Sequence, residues 1–270
     1  MPTAEELARR IRRDMLTLAH TTKTPHIGPA LSCVDILTTL YAGVMKTNRR
    51  DPLMADRDRF ILSKGHGALA LYACLHHTGF LSRKDLLSYC RNGGPLAEHP
   101  LAHQIPSVEF ATGSLGHGLA VGIGMAMAAR IKKARYRVFV LMGDGECNEG
   151  SVWEAAGFAS TMRMDNLIAI VDHNGLQATD RYEKLSGGFD LTQAWGAFGW
   201  ETREVDGHDI AQMRKVCTRA FFSVRKPKVV IAHTVKGKGV SFMENDLEWH
   251  YRWPDARGLA KALGELNNAT

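Results

Sequence analysis

Two uninterrupted apolar runs constrain this chain more than any other feature. Val138-Phe139-Val140-Leu141-Met142 ends in Gly143-Asp144-Gly145, and Leu167-Ile168-Ala169-Ile170-Val171 ends in Asp172-His173-Asn174. A strand that is apolar at every position has both faces buried, the pattern of a parallel sheet covered by helices on both sides. Residues 149–163 between the runs read as a helix, giving a strand–helix–strand unit. Two more strands are expected at 200–205 and 229–232, around a helix at 209–223. The alternation predicts an α/β fold, a doubly wound, mostly parallel sheet with helices on both faces.

The rest of the chain fits that plan. Leu7, Ile11, Met15 and Leu18 recur at near-helical spacing and predict a helix over 4–19. Further helices are expected at 32–44, at 67–78, from Ser82 as N-cap, and over the last residues from 255. The Gly-, Ala- and Met-rich stretch 116–132 reads as a tightly packed buried helix, and 91–113 as loop. With no internal repeat and no linker-like segment, residues 1–270 are expected to form one domain.

At 45% hydrophobic and 23% charged, the chain can bury a sizeable core and is not disordered. It has no apolar window long enough to span a bilayer and no signal-peptide pattern at its start, so a soluble, cytoplasmic protein without membrane partners is expected. The net charge of +6 raises nucleic-acid binding as a possibility. The densest basic cluster, Arg9, Arg10, Arg12 and Arg13, is interspersed with acids and reads instead as a solvated helix surface. A phosphate-bearing small ligand could use the same excess. Cys33, Cys74, Cys90, Cys147 and Cys217 form no CxxC pair and are expected to be reduced thiols.

In such a sheet, ligands bind at the carboxyl ends of strands. There Asp144 offers a carboxylate and Asn174 an amide carbonyl, both hard oxygen donors suited to magnesium or calcium. A lone Gly-Asp-Gly is also an ordinary tight turn. Two such strand ends joined by one helix favour a ligand site. Competing motifs fail: Gly116-His117-Gly118 has Val121 where a dinucleotide fingerprint needs glycine, and Gly237-Lys238 lacks the first glycine and the Ser/Thr of a P-loop. His99 and His103 are four apart, but Pro100 and the missing HExxH pattern argue against a zinc-protease helix.

Gly143-Asp144-Gly145, with Asn174 thirty residues after Asp144, resembles the thiamine diphosphate-binding motif of transketolases and related enzymes. Phe60 to His66, Thr112 to Gly118, Pro25-His26-Ile27-Gly28, His99-Pro100, His233 to Gly239 and Trp249-His250 are similar to further transketolase stretches. The resemblance implies that Asp144, Asn174 and the main-chain oxygen of Leu176 hold Mg²⁺ or Ca²⁺ against the cofactor's two phosphates. It implies cofactor contacts from His66, Gly113, Ser114, Leu115, Gly145, Glu146, Asn174 and His250. It places His26, His66, His99 and His250 along a channel where they bond the hydroxyls of a ketose donor, as side chains able to donate or accept at neutral pH can. Glu149 and Glu154 resemble acidic residues at the interface between active sites, and Glu149 also suits a helix start. Glu98, His117 and Tyr251 depart from the family's pattern, which bears on channel shape and substrate preference.

The matching motifs all belong to the family's diphosphate-binding domain. In the family, a glutamate from a different domain bonds the aminopyrimidine ring and enables loss of the thiazolium proton. The resemblance therefore implies that this chain is the N-terminal subunit of a split transketolase. Its partner would be a C-terminal subunit carrying the pyrimidine domain and that glutamate, in an α2β2 heterotetramer, with sugar (phosphate) substrates and no nucleic acid. The alternatives are another thiamine enzyme (a 2-oxo acid dehydrogenase α subunit or part of a deoxyxylulose phosphate synthase) or a non-enzymatic basic binding module.

Overall fold

The computed structural model describes residues 2–102, 104–218 and 225–268. The two apolar runs are strands β2 (Val138–Gly143) and β3 (Leu167–His173) at the centre of a five-stranded, all-parallel sheet. The strand order is β1-β2-β3-β5-β4, where β1 is Arg59–Leu62, β4 Glu201–Asp206 and β5 Lys228–His233. The register pairs Gly143 with Asp172 and His173 with His233, so the polar ends of β2, β3 and β5 finish side by side.

Two apolar cores lie on opposite faces of this sheet, and the strand period of two divides the central strands between them. Phe139, Leu141, Ile168, Ile170 and Val230 face one core, with α1 (Ala4–Thr22), α2 (Ile27–Ser32), α3 (Val34–Thr39) and α4 (Ala68–His77). Val138, Val140, Met142, Ala169 and Val229 face the other, with α6 (Gly118–Ile131) and α7 (Gly150–Thr161). Between α4 and α6 lies the short α5 (Arg83–Leu86), which Ser82 caps by accepting from the Asp85 amide. The remaining α-helices among the described residues are α8 (Tyr182–Ser186), α9 (Leu191–Ala197), α10 (Ile210–Val216) and α11 (Ala256–Asn268). Edge strand β4 buries only Val205, and its charged positions discourage pairing with another edge.

Helix α6 packs as its composition predicts. A Cβ on Gly122 would stand 2.6 Å from Val140 Cγ2, so glycine is what lets this helix lie against β2. Three expectations need correction. The single helix over 32–44 is broken at Cys33 and ends in a π-helical turn at Leu40–Val44, while its first turn starts earlier, at Ile27. The helix expected over 209–223 is seen as α10, and residues 219–223 lie outside the described residues. Arg12 is not solvated: it is buried, donating to both Asp35 oxygens at 2.9 and 2.6 Å, while Arg9 and Arg10 pair with Glu6. All five cysteines are free. No helix among the described residues is long and apolar enough to cross a membrane.

Candidate active site

The site begins at the ends of β2 and β3. Asp144 is buried, and its carboxylate accepts from the Gly145 and Gly175 amides, both at 2.7 Å, which ties one strand end to the turn after the other. Gly175 makes that turn at φ +73, where side chains are strained. Asn174 is buried beside it, its Oδ1 accepting from Leu176 N at 3.1 Å, and Leu176 is itself buried. His173 Nδ1 lies 3.2 Å from Asp144 Oδ2, and that hydrogen bond raises the imidazole's pKa against the effect of burial.

Four histidines from four separate segments converge. The His26 ring centroid lies 5.6 Å from His66, 5.8 Å from His99 and 5.2 Å from His250. His26 precedes α2 in the left-handed region, at φ +68, and its amide donates to the His250 carbonyl at 2.8 Å. A non-glycine residue held there carries strain, which concentrates at functional sites. His66 follows β1, beside Gly65, and a Cβ on Gly65 would stand 2.9 Å from Gly113 N. A Cβ on Gly113 would in turn touch His99 Cδ2 at 3.5 Å, so the 112–118 loop, with Ser114 and Leu115, lies against both histidines. That loop borders a cavity of ≈ 370 Å³.

Burial works against charge on three of these rings. It holds His66 well below its ordinary value, helped by the Lys64 charge, and brings His250 down to about 3, helped by Lys236. Burial also lowers His26, while Glu98 pulls the other way. His26 Nδ1 lies 2.9 Å from Glu98 Oε1. Tyr251, 59% exposed, flanks the rings of His250 at 4.8 Å and His26 at 6.2 Å.

Several residues with work to do here had no role at the level of sequence. Lys236 is fully buried, and its Nζ spans from the Gln177 carbonyl at 2.9 Å to His250 Nδ1 at 3.1 Å, joining the Asp144 side of the site to the histidines. Burial, then the Lys64 charge, lowers its pKa to about 8. Lys64 is buried against Asp172. Burial is the largest influence and opposes its charge, yet the neighbouring Asp172 and Cys33 outweigh it and raise its pKa. Lys64, Ser32 and Thr234 all donate to Asp172, locking the end of β3 to α2 and to the segment after β5. Both lysines lie in stretches that resemble the family's, Phe60 to His66 and His233 to Gly239, but sequence spacing does not show their buried partners.

Glu146, expected at the cofactor, has its carboxylate directed into the protein. It is 2% exposed, and it accepts from Ser63 Oγ, from Gly116 N at 2.8 Å and from Gly143 N at 3.2 Å. Burial raises its pKa. It anchors the 112–118 loop to the ends of β1 and β2. Glu149 and Glu154 are exposed at and after the start of α7, and Glu154 borders an apolar surface cavity with Ile123, Met127 and Phe158. His117 is exposed, its Nδ1 3.0 Å from the Leu115 carbonyl, and His103 lies outside the described residues.

A family model described as "Transketolase, thiamine diphosphate binding domain" matches residues 3–258. An apulose-4-phosphate transketolase subunit of Phocaeicola vulgatus is 40% identical over 98% of this chain and 94% of its own length. A 6-deoxy-6-sulfo-D-fructose transketolase subunit of a Clostridium species is 36% identical over 83% of the chain and 82% of its own length. Transketolase from Leishmania mexicana superposes with a TM-score of 0.92 at 29% identity, over 99% of this chain but only 42% of that one.

Proposed function

Because the chain belongs to the transketolase family, as its thiamine diphosphate-binding domain, we propose that it is the diphosphate-binding subunit of a two-chain transketolase. The whole of residues 1–270 is read as one domain, since both cores share one sheet. The observation that carries the reading is the junction, through Lys236, of a hard-oxygen strand-end pair with a cluster of four histidines. The matched family and the transketolase names of the relatives set aside the dehydrogenase, synthase and non-enzymatic alternatives.

The residues present fit thiamine diphosphate with a divalent cation. Asp144, the Asn174 amide oxygen and the Leu176 carbonyl form an all-oxygen donor set for Mg²⁺ or Ca²⁺, which would leave positions for diphosphate oxygens. Two buried polar atoms without a hydrogen bond flank these segments: Gln177 Nε2, on the side chain against Gly145, and Thr112 Oγ1, on the side chain against Gly65. Gly145 and Gly113 keep the backbone open to a close ligand, and a Cβ on Gly145 would press on Gln177 at 2.9 Å.

When bound, the cofactor supplies the electron sink for moving a two-carbon ketol unit. This chain's part is to hold, orient and hydrogen-bond. Lys236 sets a positive charge beside the metal-binding end, where an anionic group is favoured. His26, His66 and His250, uncharged at neutral pH, present ring nitrogens to the hydroxyls of a ketose, with His99 completing the wall; His250, whose Nδ1 accepts from Lys236, offers its Nε2–H as donor. Sugar phosphates are the substrate class in this reading, by analogy with the relative named for apulose-4-phosphate.

The partner would be a chain carrying the pyrimidine domain and its catalytic glutamate, in an α2β2 assembly. Support comes from the Phocaeicola relative, which is itself named as one subunit of its enzyme and is matched over 94% of its length. The exposed face of α6 and α7 that carries Glu154 and Phe158 is where we place the contact between active sites. The free cysteines suit the reducing cytoplasm. Calorimetric titration of thiamine diphosphate with and without Mg²⁺ tests the site: metal-dependent binding, lost in Asp144→Ala, is expected. Equal affinity in that variant would overturn the metal assignment.

A further inference from the structure

Asp14, on α1, and His76 and His77, at the end of α4, bring three potential metal-ligand atoms within 4.8 Å of one another. We propose that these three side chains form a transition-metal site, occupied by Zn²⁺, that bridges α1 to α4.

The chemistry of each ligand supports this. His76 Nδ1 lies 3.0 Å from the Leu81 carbonyl, which can only accept, so Nδ1 carries the proton and the Nε2 lone pair is left for a metal. A carbonyl in that position orients an imidazole ligand and raises its basicity. His77 Nε2 lies 3.0 Å from Asp14 Oδ2, with both side chains 18% exposed. The two imidazole rings are 5.0 Å apart, edge to face. Two imidazoles and one carboxylate, with a fourth position open, suit Zn²⁺ and are a poor set for Mg²⁺ or Ca²⁺.

The competing cation is Arg83, which donates to Asp14 Oδ2. Its side chain is 49% exposed and can swing into water when a metal takes the carboxylate. Solvent access is open, because His77 borders a surface cavity of ≈ 600 Å³ with Tyr41, Thr78 and Phe80. On binding, the His77 proton moves through solvent from Nε2 to Nδ1, so the neutral imidazole gives its Nε2 lone pair to the metal in place of its contact with Asp14. The result is a cross-link between two helices of the same core, at the far end of the helix that begins two residues after His66.

The test needs neither thiamine diphosphate nor a partner chain. The tag-free protein is titrated with ZnCl₂ by calorimetry, and its melting temperature is read with and without Zn²⁺. One Zn²⁺ per chain and a higher melting temperature are expected. His76→Ala and, independently, Asp14→Asn should each weaken binding more than about 100-fold, beyond the loss that removal of an outer partner brings. Arg83→Ala should tighten it. No Zn²⁺ binding to the wild type, or binding unchanged in both ligand variants, overturns the proposal, the latter by placing the metal elsewhere.

Discussion

Glu146→Gln separates an anchoring carboxylate from a cofactor ligand. The wild-type carboxylate accepts from Ser63 Oγ and Gly116 N through Oε1, and from Gly143 N through Oε2. Glutamine keeps the volume but turns one oxygen into a donor. If its nitrogen takes the Oε2 place, Gly143 N loses its acceptor; if it takes the other, Gly116 N does. Either way one buried backbone N–H is left without a partner, at a cost of about 1–3 kcal/mol. For a chain of this size that lowers the melting temperature by about 2–4 °C per kcal/mol. The 112–118 loop loses part of its anchor, so thiamine diphosphate affinity should fall only modestly. The assay pairs urea unfolding with calorimetric cofactor titration. Unchanged stability together with abolished cofactor binding would rule out the anchoring role, because it would mean that Glu146 touches the cofactor itself.

Four further outcomes follow from the site. His26→Ala should raise the KM for the ketose while leaving cofactor affinity near wild type, and steady-state kinetics of the assembled enzyme check this. Lys64→Met leaves Asp172 buried without its cation and should destabilise the chain by about 3–5 kcal/mol, measured by chemical denaturation. Lys236 has its pKa lowered from 10.5 to about 8, so between those values the unfolded chain binds more protons than the folded one. Its contribution to stability therefore rises with pH from about 8 to 10.5, and Lys236→Met should remove that segment of the stability–pH curve. Glu98→Gln removes the carboxylate beside His26 and should lower the His26 pKa further, followed by NMR titration of the ring.

Much of this was legible from residue order because the informative features are local. The runs at 138–142 and 167–171 are apolar at every position, and such runs have one stable home, the middle of a covered parallel sheet. Their polar ends then placed Asp144 and Asn174. The histidines were nameable one by one only through resemblance, since His26, His66, His99 and His250 come from distant segments. What stayed hidden were pairings made across the fold. Nothing in sequence spacing says that Arg12 reaches Asp35, that Lys236 reaches His250, or that the Glu146 carboxylate turns inward to Gly116. The break at Cys33 was hidden for the same reason: Ser32 and Asp35 on either side are drawn to Asp172 and Arg12, partners far along the chain.

If this chain supplies one half of a transketolase active site, activity must depend on a second polypeptide. The direct measurement is two-carbon transfer from a ketose phosphate to an aldose, with thiamine diphosphate and Mg²⁺ present. The purified chain, a partner bearing the pyrimidine domain, and the equimolar mixture are assayed side by side. Turnover is predicted in the mixture alone, and sustained transfer by the chain without its partner would contradict the two-chain reading.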